Sequence, residues 1–88
     1  MRLKDDFVLR RVADTWVVLA LGAASVDFSG MLTLNESGAM LWRVLENGAD
    51  REKLTDALTA EYAVSRDVAS QDVDAFVRKL TDAGCIEM

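Results

Sequence analysis

The chain has 88 residues, a length that predicts one domain spanning residues 1–88. Apolar residues make up 51% of it and charged residues 28%, a balance typical of a globular protein and not of a disordered one. The net charge of −5 disfavours duplex nucleic acid as a partner, because its phosphates require clustered Lys and Arg. No apolar run approaches the roughly 20 residues that span a bilayer, and no signal-peptide pattern is present. We therefore expect a cytoplasmic protein without a membrane partner.

The residue types that most catalytic and metal sites require are scarce. The chain has no His and a single Cys, Cys85, which excludes Ser-His-Asp and Cys-His catalysis, His-based metal sites and Cys-rich zinc sites. Its five glycines lie far apart, so no glycine-rich phosphate loop is formed. The sequence thus predicts a protein that is not an enzyme and that needs no metal or cofactor. Cys85 is expected to be a buried thiol.

The first third of the chain has the pattern of β-strands. Residues 7–12 are rich in β-formers and partly alternating, and residues 15–21 form a near-continuous β-branched and aromatic run. Together these two segments predict a hairpin. The connection over residues 22–30 is looser, and residues 31–34 predict a third, short strand.

Three helices follow, each preceded by a residue suited to cap it. Asn35, Asp50 and Ser65 are the predicted N-caps, because their side-chain oxygens can accept an unpaired amide of the first turn. Apolar residues with helical spacing then predict one buried face on each helix. These faces comprise Leu34, Gly38, Leu41, Trp42 and Leu45; Leu54, Ala57, Leu58 and Tyr62; and Val68, Val73, Phe76, Val77 and Leu80. The predicted fold class is α+β, a three-stranded antiparallel sheet followed by a three-helix bundle.

The junction of the third strand and the first helix carries a resemblance to a known family. Residues 34–42 read Leu-Asn-Glu-Ser-Gly-Ala-Met-Leu-Trp, which is similar to the PqqD family's usual Leu-Asn-Glu-Thr-Gly-Ala followed by an apolar residue and Trp. The similarity extends over almost the whole chain, from the first strand to the Glu61-Tyr62 pair and the spacing of the third helix. The connection over residues 22–30 is longer than in the quinone-cofactor members and resembles that of stand-alone relatives beside other peptide-maturing enzymes. We interpret the Asn35–Gly38 part of the motif as structural.

The resemblance implies a winged-helix-like fold and the role of a RiPP recognition element, a domain that binds the leader part of a ribosomally made, post-translationally modified peptide. In this family the leader adds as a strand beside the third strand, packs against the third helix and is presented to a modifying enzyme, often a radical SAM protein. The iron–sulfur clusters of such an enzyme would belong to the partner. The candidate peptide-binding residues are Met31, Leu32, Thr33, Leu34, Asp72, Phe76 and Lys79.

The residues themselves support this implication, because a short strand at a sheet edge leaves backbone groups for another strand to pair with. The same edge, which contains no Pro, also predicts a weak homodimer that competes with the peptide.

Two other classes of protein remain as alternatives. A winged-helix DNA-binding regulator would share the fold, but it needs a basic recognition helix, and the third helix here has three basic residues against four acidic ones. An acyl or peptidyl carrier protein needs a Ser in an Asp-Ser-Leu-like motif, whereas Ser37 lies in Glu-Ser-Gly. The strand-rich beginning of the chain also does not fit a four-helix carrier.

Overall fold

The computed structural model describes residues 1–22 and 32–87. In chain order the elements are β1 (Arg2–Leu3), β2 (Phe7–Val12), β3 (Thr15–Ala20), β4 (Leu32–Leu34), α1 (Glu36–Leu45), α2 (Arg51–Glu61), α3 (Arg66–Asp82) and β5 (Ile86–Glu87). The α+β arrangement predicted from the sequence, a three-stranded antiparallel sheet followed by three helices, is confirmed. Residue 31, the predicted start of the third strand, lies outside the described residues.

The main sheet has the strand order β2-β3-β4, with both pairs antiparallel. Val18, at the centre of β3, pairs with Leu9 of β2 on one side and with Leu32 of β4 on the other. Because successive side chains of a strand point to opposite faces, this set of three shares one face, and that face packs against the helices. Thr33 belongs to the opposite face and is exposed.

All three predicted N-caps are present. The side chain of Asn35 accepts a hydrogen bond from the amide of Gly38 at 2.8 Å, Asp50 accepts one from Lys53 at 2.8 Å, and Ser65 accepts one from Val68 at 3.2 Å. Each bond satisfies an amide that the helix itself cannot pair. The caps therefore fix where each helix begins.

The core lies between the sheet and the three helices. Trp42 of α1 is fully buried, as predicted, and fully buried apolar side chains from the sheet, α2 and α3 surround it: Val18, Leu54, Val73 and Leu80. Two members of the predicted helix faces are exposed instead, Tyr62 by 37% and Val68 by 46%.

The physical reasons for these two differences are local. Tyr62 follows the last residue of α2 and has extended backbone, so it leaves the helical face that Leu54 and Leu58 occupy. Val68 lies in the first turn of α3, and its neighbour Ala69 is the residue that turns inward.

A second, two-stranded sheet joins the two ends of the described chain, and the sequence did not predict it. β1 pairs antiparallel with β5, so that Leu3 lies opposite Ile86. The amide of Lys4 donates to the carbonyl of Cys85 at 2.9 Å, which extends this pairing. Cys85 is buried as expected, and burial raises the pKa of its thiol to about 11. No helix of residues 1–22 and 32–87 has the length and apolar character to cross a membrane.

Candidate peptide-binding groove

β4 has a partner strand on one side only. It pairs with β3 through Val18↔Leu32, Val17↔Thr33 and Trp16↔Leu34, and among the described residues no strand pairs with its other side. We call this other side of β4 the open edge. An edge of this kind presents backbone N–H and C=O groups that a further strand can pair with.

A groove of about 600 Å³ runs beside the open edge, between β4, the first turn of α1 and one face of α3. Its apolar floor is formed by side chains that are 2–7% exposed: Leu34, Leu41, Leu58 and Phe76. The remaining lining residues are Asp14, Thr15, Thr33, Asn35, Ser37, Gly38, Asp72, Ala75 and Lys79. The groove thus has an apolar floor and a polar rim, the composition that ligand sites commonly show.

The α3 wall of the groove is one helical stripe. Asp72, Ala75, Phe76 and Lys79 follow the i, i+3, i+4, i+7 spacing that places side chains on one face. At about 1.5 Å per residue, Asp72 and Lys79 lie roughly 10 Å apart along the helix axis. Three strand residues at about 3.3 Å each span the same length. The stripe therefore matches the three residues of β4 in length.

Lys79 connects the two walls of the groove. Its Nζ donates a hydrogen bond to the carbonyl oxygen of Thr33 at 2.6 Å, across 46 positions of sequence. This bond comes from α3 and not from β3, so it occupies an acceptor of the edge strand from outside the sheet. Both residues are exposed, and the bond can exchange with other partners in water.

The strand–helix junction holds the end of the groove in place. A Cβ added to Gly38 would lie 3.3 Å from the Cβ of Leu34 and 3.1 Å from Oδ1 of Asn35, so only glycine allows this close approach without displacement. The Ser37 hydroxyl donates to Asn35 Oδ1 at 3.0 Å and adds to the cap. The hydrogen bonds of the motif are therefore structural, although three of its residues also line the groove: Asn35, Ser37 and Gly38.

The structure brings together most of the residues that the sequence nominated for peptide binding. Those that line the groove are Thr33, Leu34, Asp72, Phe76 and Lys79. Leu32 is half-buried against the core and is not part of the groove lining. Met31 lies outside the described residues.

Sequence reasoning missed Asp14 and Ala75. Ala75 has a signal in the sequence, since it lies three residues after Asp72 and four before Lys79, on the same helical face. Asp14 has none, because it precedes β3 and reaches the groove only through the pairing of β3 with β4. The rim therefore carries two carboxylates, those of Asp14 and Asp72, and one ammonium, that of Lys79.

The described residues show neither a cluster of metal-ligating side chains nor an unbroken basic stripe on α3. They contain no group of three or more His, Cys, Asp or Glu side chains that could hold a metal ion. In α3, Arg66 binds Asp56 of α2 at 2.7 Å, which leaves this helix without a continuous basic surface for DNA.

A fold of this class, an α+β domain with an open strand edge above a groove, has known relatives. A family model described as coenzyme PQQ synthesis protein D (PqqD) matches residues 15–86. This match covers most of the chain, and the protein therefore belongs to the PqqD family.

Two solved structures are similar over almost the whole chain. One is described as TbiB1 in complex with the TbiA(beta) leader peptide; it is 30% identical, with a TM-score of 0.78, over 99% of this chain and 95% of that one. The other is a lasso peptide synthetase B1 complexed with the leader peptide; it is 26% identical, with a TM-score of 0.74, over 96% of this chain and 93% of that one. A search of curated proteins found no match.

Proposed function

We propose that residues 1–88 form a non-catalytic peptide-binding domain that captures the leader of a ribosomally made precursor peptide and presents it to a separate modifying enzyme, such as a radical SAM protein. The observation that carries this proposal is the open edge of β4 beside the groove along α3. Membership of the PqqD family supports it, as do the two similar structures, both of which contain a leader peptide.

In the proposed complex the leader extends the main sheet by one strand. Its backbone pairs with the open edge, which provides affinity with little demand on the leader sequence. Alternate leader side chains then point towards the groove, because successive residues of a strand face opposite sides. An apolar leader residue would pack on Leu34 and Phe76, whose exposed areas are small but face the groove.

The rim of the groove supplies selectivity in this proposal. Asp72 and Lys79 carry opposite charges about 10 Å apart on one helical face. A leader with charged residues in the reverse order along its strand would place like charges together, and such an arrangement is destabilising. The orientation of the leader is therefore constrained by α3 as well as by β4.

A non-catalytic role agrees with the chemistry of the groove. Three of its lining residues carry a hydroxyl, Thr15, Thr33 and Ser37, and the chain has no His to activate any of them. The Ser37 hydroxyl is also engaged in the cap through Asn35. Modification of the precursor is then the task of the partner enzyme.

The test is an NMR titration of the isotope-labelled protein with the leader of its cognate precursor peptide. Chemical-shift changes should cluster on residues 32–34 and 72–79, and a scrambled leader of the same composition should bind more weakly, because its side chains no longer match the groove. Changes confined to α2 would contradict the proposal. A second experiment measures the modification of the precursor by its modifying enzyme. This modification should decrease when the domain is omitted and recover when it is added back.

A further inference from the structure

The hydrogen bond from Lys79 to Thr33 has a consequence for a partner other than the leader. We propose that the open edge of β4 is a surface through which two copies of this chain can pair, and that Lys79 limits this pairing by occupying the central acceptor of the edge. This inference concerns a second copy of the protein and requires no peptide. It uses the same edge as the proposed function, but its test is independent.

The sequence of β4 suits pairing with itself. In the symmetric antiparallel pair of two copies of β4 that is centred on Thr33, the two-fold axis lies between the Thr33 residues of the two copies. Leu32 of each copy would then lie opposite Leu34 of the other. The two main sheets would become one continuous sheet across the two copies, because β4 is at the edge of each. No residue of β4 carries a charge or is a Pro, the features by which edge strands commonly prevent such pairing.

Lys79, which lies on α3, supplies the protection that the residues of β4 lack. Its ammonium donates to the Thr33 carbonyl at 2.6 Å, and Thr33 is the residue next to the two-fold axis of the proposed pair. Pairing of two copies would require both Lys79 side chains to release both central carbonyls. The two released ammonium groups would also lie near one axis, where like charges repel. One residue thus opposes the homodimer in two ways.

The edge can still accept a leader under this arrangement. A single peptide displaces one Lys79, and it brings no second ammonium to the axis. The peptide also has side chains that can pack into the groove. The bond therefore discriminates between the two partners of the same edge.

The test compares four proteins by sedimentation velocity over a concentration series without any peptide. Lys79→Met removes the ammonium and keeps the apolar stem, and its dimer dissociation constant should be at least tenfold lower than that of the unaltered protein. Lys79→Arg retains donors that reach the carbonyl and should behave like the unaltered protein. Arg78→Met is the matched control, because it removes one positive charge from the adjacent exposed position of α3 without removing the bond to Thr33.

Amide hydrogen exchange locates the contact. In Lys79→Met at concentrations where the dimer forms, the amides of β4 should exchange more slowly than in the dilute protein. The inference is overturned if Lys79→Met stays as monomeric as Arg78→Met, or if it dimerises with added protection elsewhere and none in residues 32–34. Circular dichroism confirms that each variant is folded. Failure of the leader to bind would contradict the proposed function and leave this result unaffected.

Discussion

The two edges of the main sheet differ in how they are protected. β2 forms one edge with six residues, and two of these, Arg10 and Arg11, are exposed charges on the strand itself. β4 forms the other edge with three uncharged residues, and the charge that protects it, that of Lys79, comes from a helix. Charges on an edge strand are a common means of preventing unwanted pairing.

The difference indicates which edge is suited to bind. Arg11 is also held in place, because its guanidinium lies 5.3 Å from the centre of the Trp16 ring and 3.8 Å from a carboxylate oxygen of Glu36. A strand added beside β2 would meet the charges of Arg10 and Arg11 on the strand itself. At β4 the protecting side chain is flexible and is joined to the edge by one hydrogen bond, so a partner can replace it. This difference is the reason that we propose β4, and not β2, as the edge that binds the leader.

The largest effect that we expect is a loss of stability that affects both edges of the main sheet. Trp42→Ala should destabilise the protein by about 3–5 kcal/mol, because Trp42 is fully buried in the core on which the whole sheet rests. Chemical denaturation measures this change. Tyr62→Ala is the matched control, an aromatic residue that is 37% exposed, and its effect should be much smaller. Equal effects of the two substitutions would show that Trp42 does not hold the core.

The second effect that we expect is on leader affinity, and it distinguishes β4 from β2. Thr33→Pro should weaken binding at least tenfold, or about 1.4 kcal/mol, more than Thr33→Ala does, because Pro removes a backbone donor and distorts the strand. Isothermal titration calorimetry with the leader of the cognate precursor measures the affinity. Circular dichroism must show that both variants keep their fold.

Arg10→Ala provides the control on the opposite edge. Arg10 is exposed, and the one hydrogen bond of its side chain to the described residues goes to the carbonyl of Leu9, so leader affinity should stay unchanged. If Arg10→Ala weakens binding as much as Thr33→Pro does, the leader uses β2 and the comparison of the two edges fails.

The elements beside the groove could be predicted from the sequence because local rules determine them. Asn35 followed by Glu36 and a periodic apolar face is a helix start by itself, and α1 begins there. The stripe of Asp72, Phe76 and Lys79 needs only the helical repeat. These features depend on residues close together in the chain.

What the sequence did not reveal depends on contacts between distant residues. The pairing of β1 with β5 joins two-residue segments at opposite ends of the chain, and segments this short carry no periodic signal. The bond from Lys79 to Thr33 likewise spans 46 positions, and an exposed Lys on a helix gives no indication of its partner. The sequence nominated both residues of this bond, but not the bond.

A smaller effect should follow when the charge on the β2 edge is removed. Arg10→Thr should leave the free energy of unfolding within about 0.5 kcal/mol, as is usual for exposed positions. It should produce a slight increase in self-association, because Arg11 still protects the strand. Sedimentation velocity measures this increase, and Arg78→Thr, which removes an exposed charge of α3, should produce none. A dimer as tight as that of Lys79→Met would mean that charges on the two edges act equally.

The smallest effect lies away from both edges, in the ion pair of Arg51 with Asp74 that joins α2 to α3. The hydrogen bond from Arg51 lowers the pKa of the Asp74 carboxyl below its ordinary value. A lowered folded-state pKa means that the pair stabilises the protein above the unfolded pKa of about 4 and that this contribution is lost as the pH falls below it. Both side chains are about half exposed, so the contribution is small.

Asp74→Asn should therefore reduce the urea midpoint slightly at pH 7, and the difference from the unaltered protein should shrink as the pH falls below about 4. Asp82→Asn is the matched control on the same helix, since no ion pair within 4.0 Å joins Asp82 to the other described residues. Leader affinity should not change in either variant, because Asp74 lies two residues from Asp72 and so faces away from the groove. A loss of affinity in Asp74→Asn would show that the packing of α2 on α3 controls the groove. The difference between the two edges would then depend on the helices as much as on the strands.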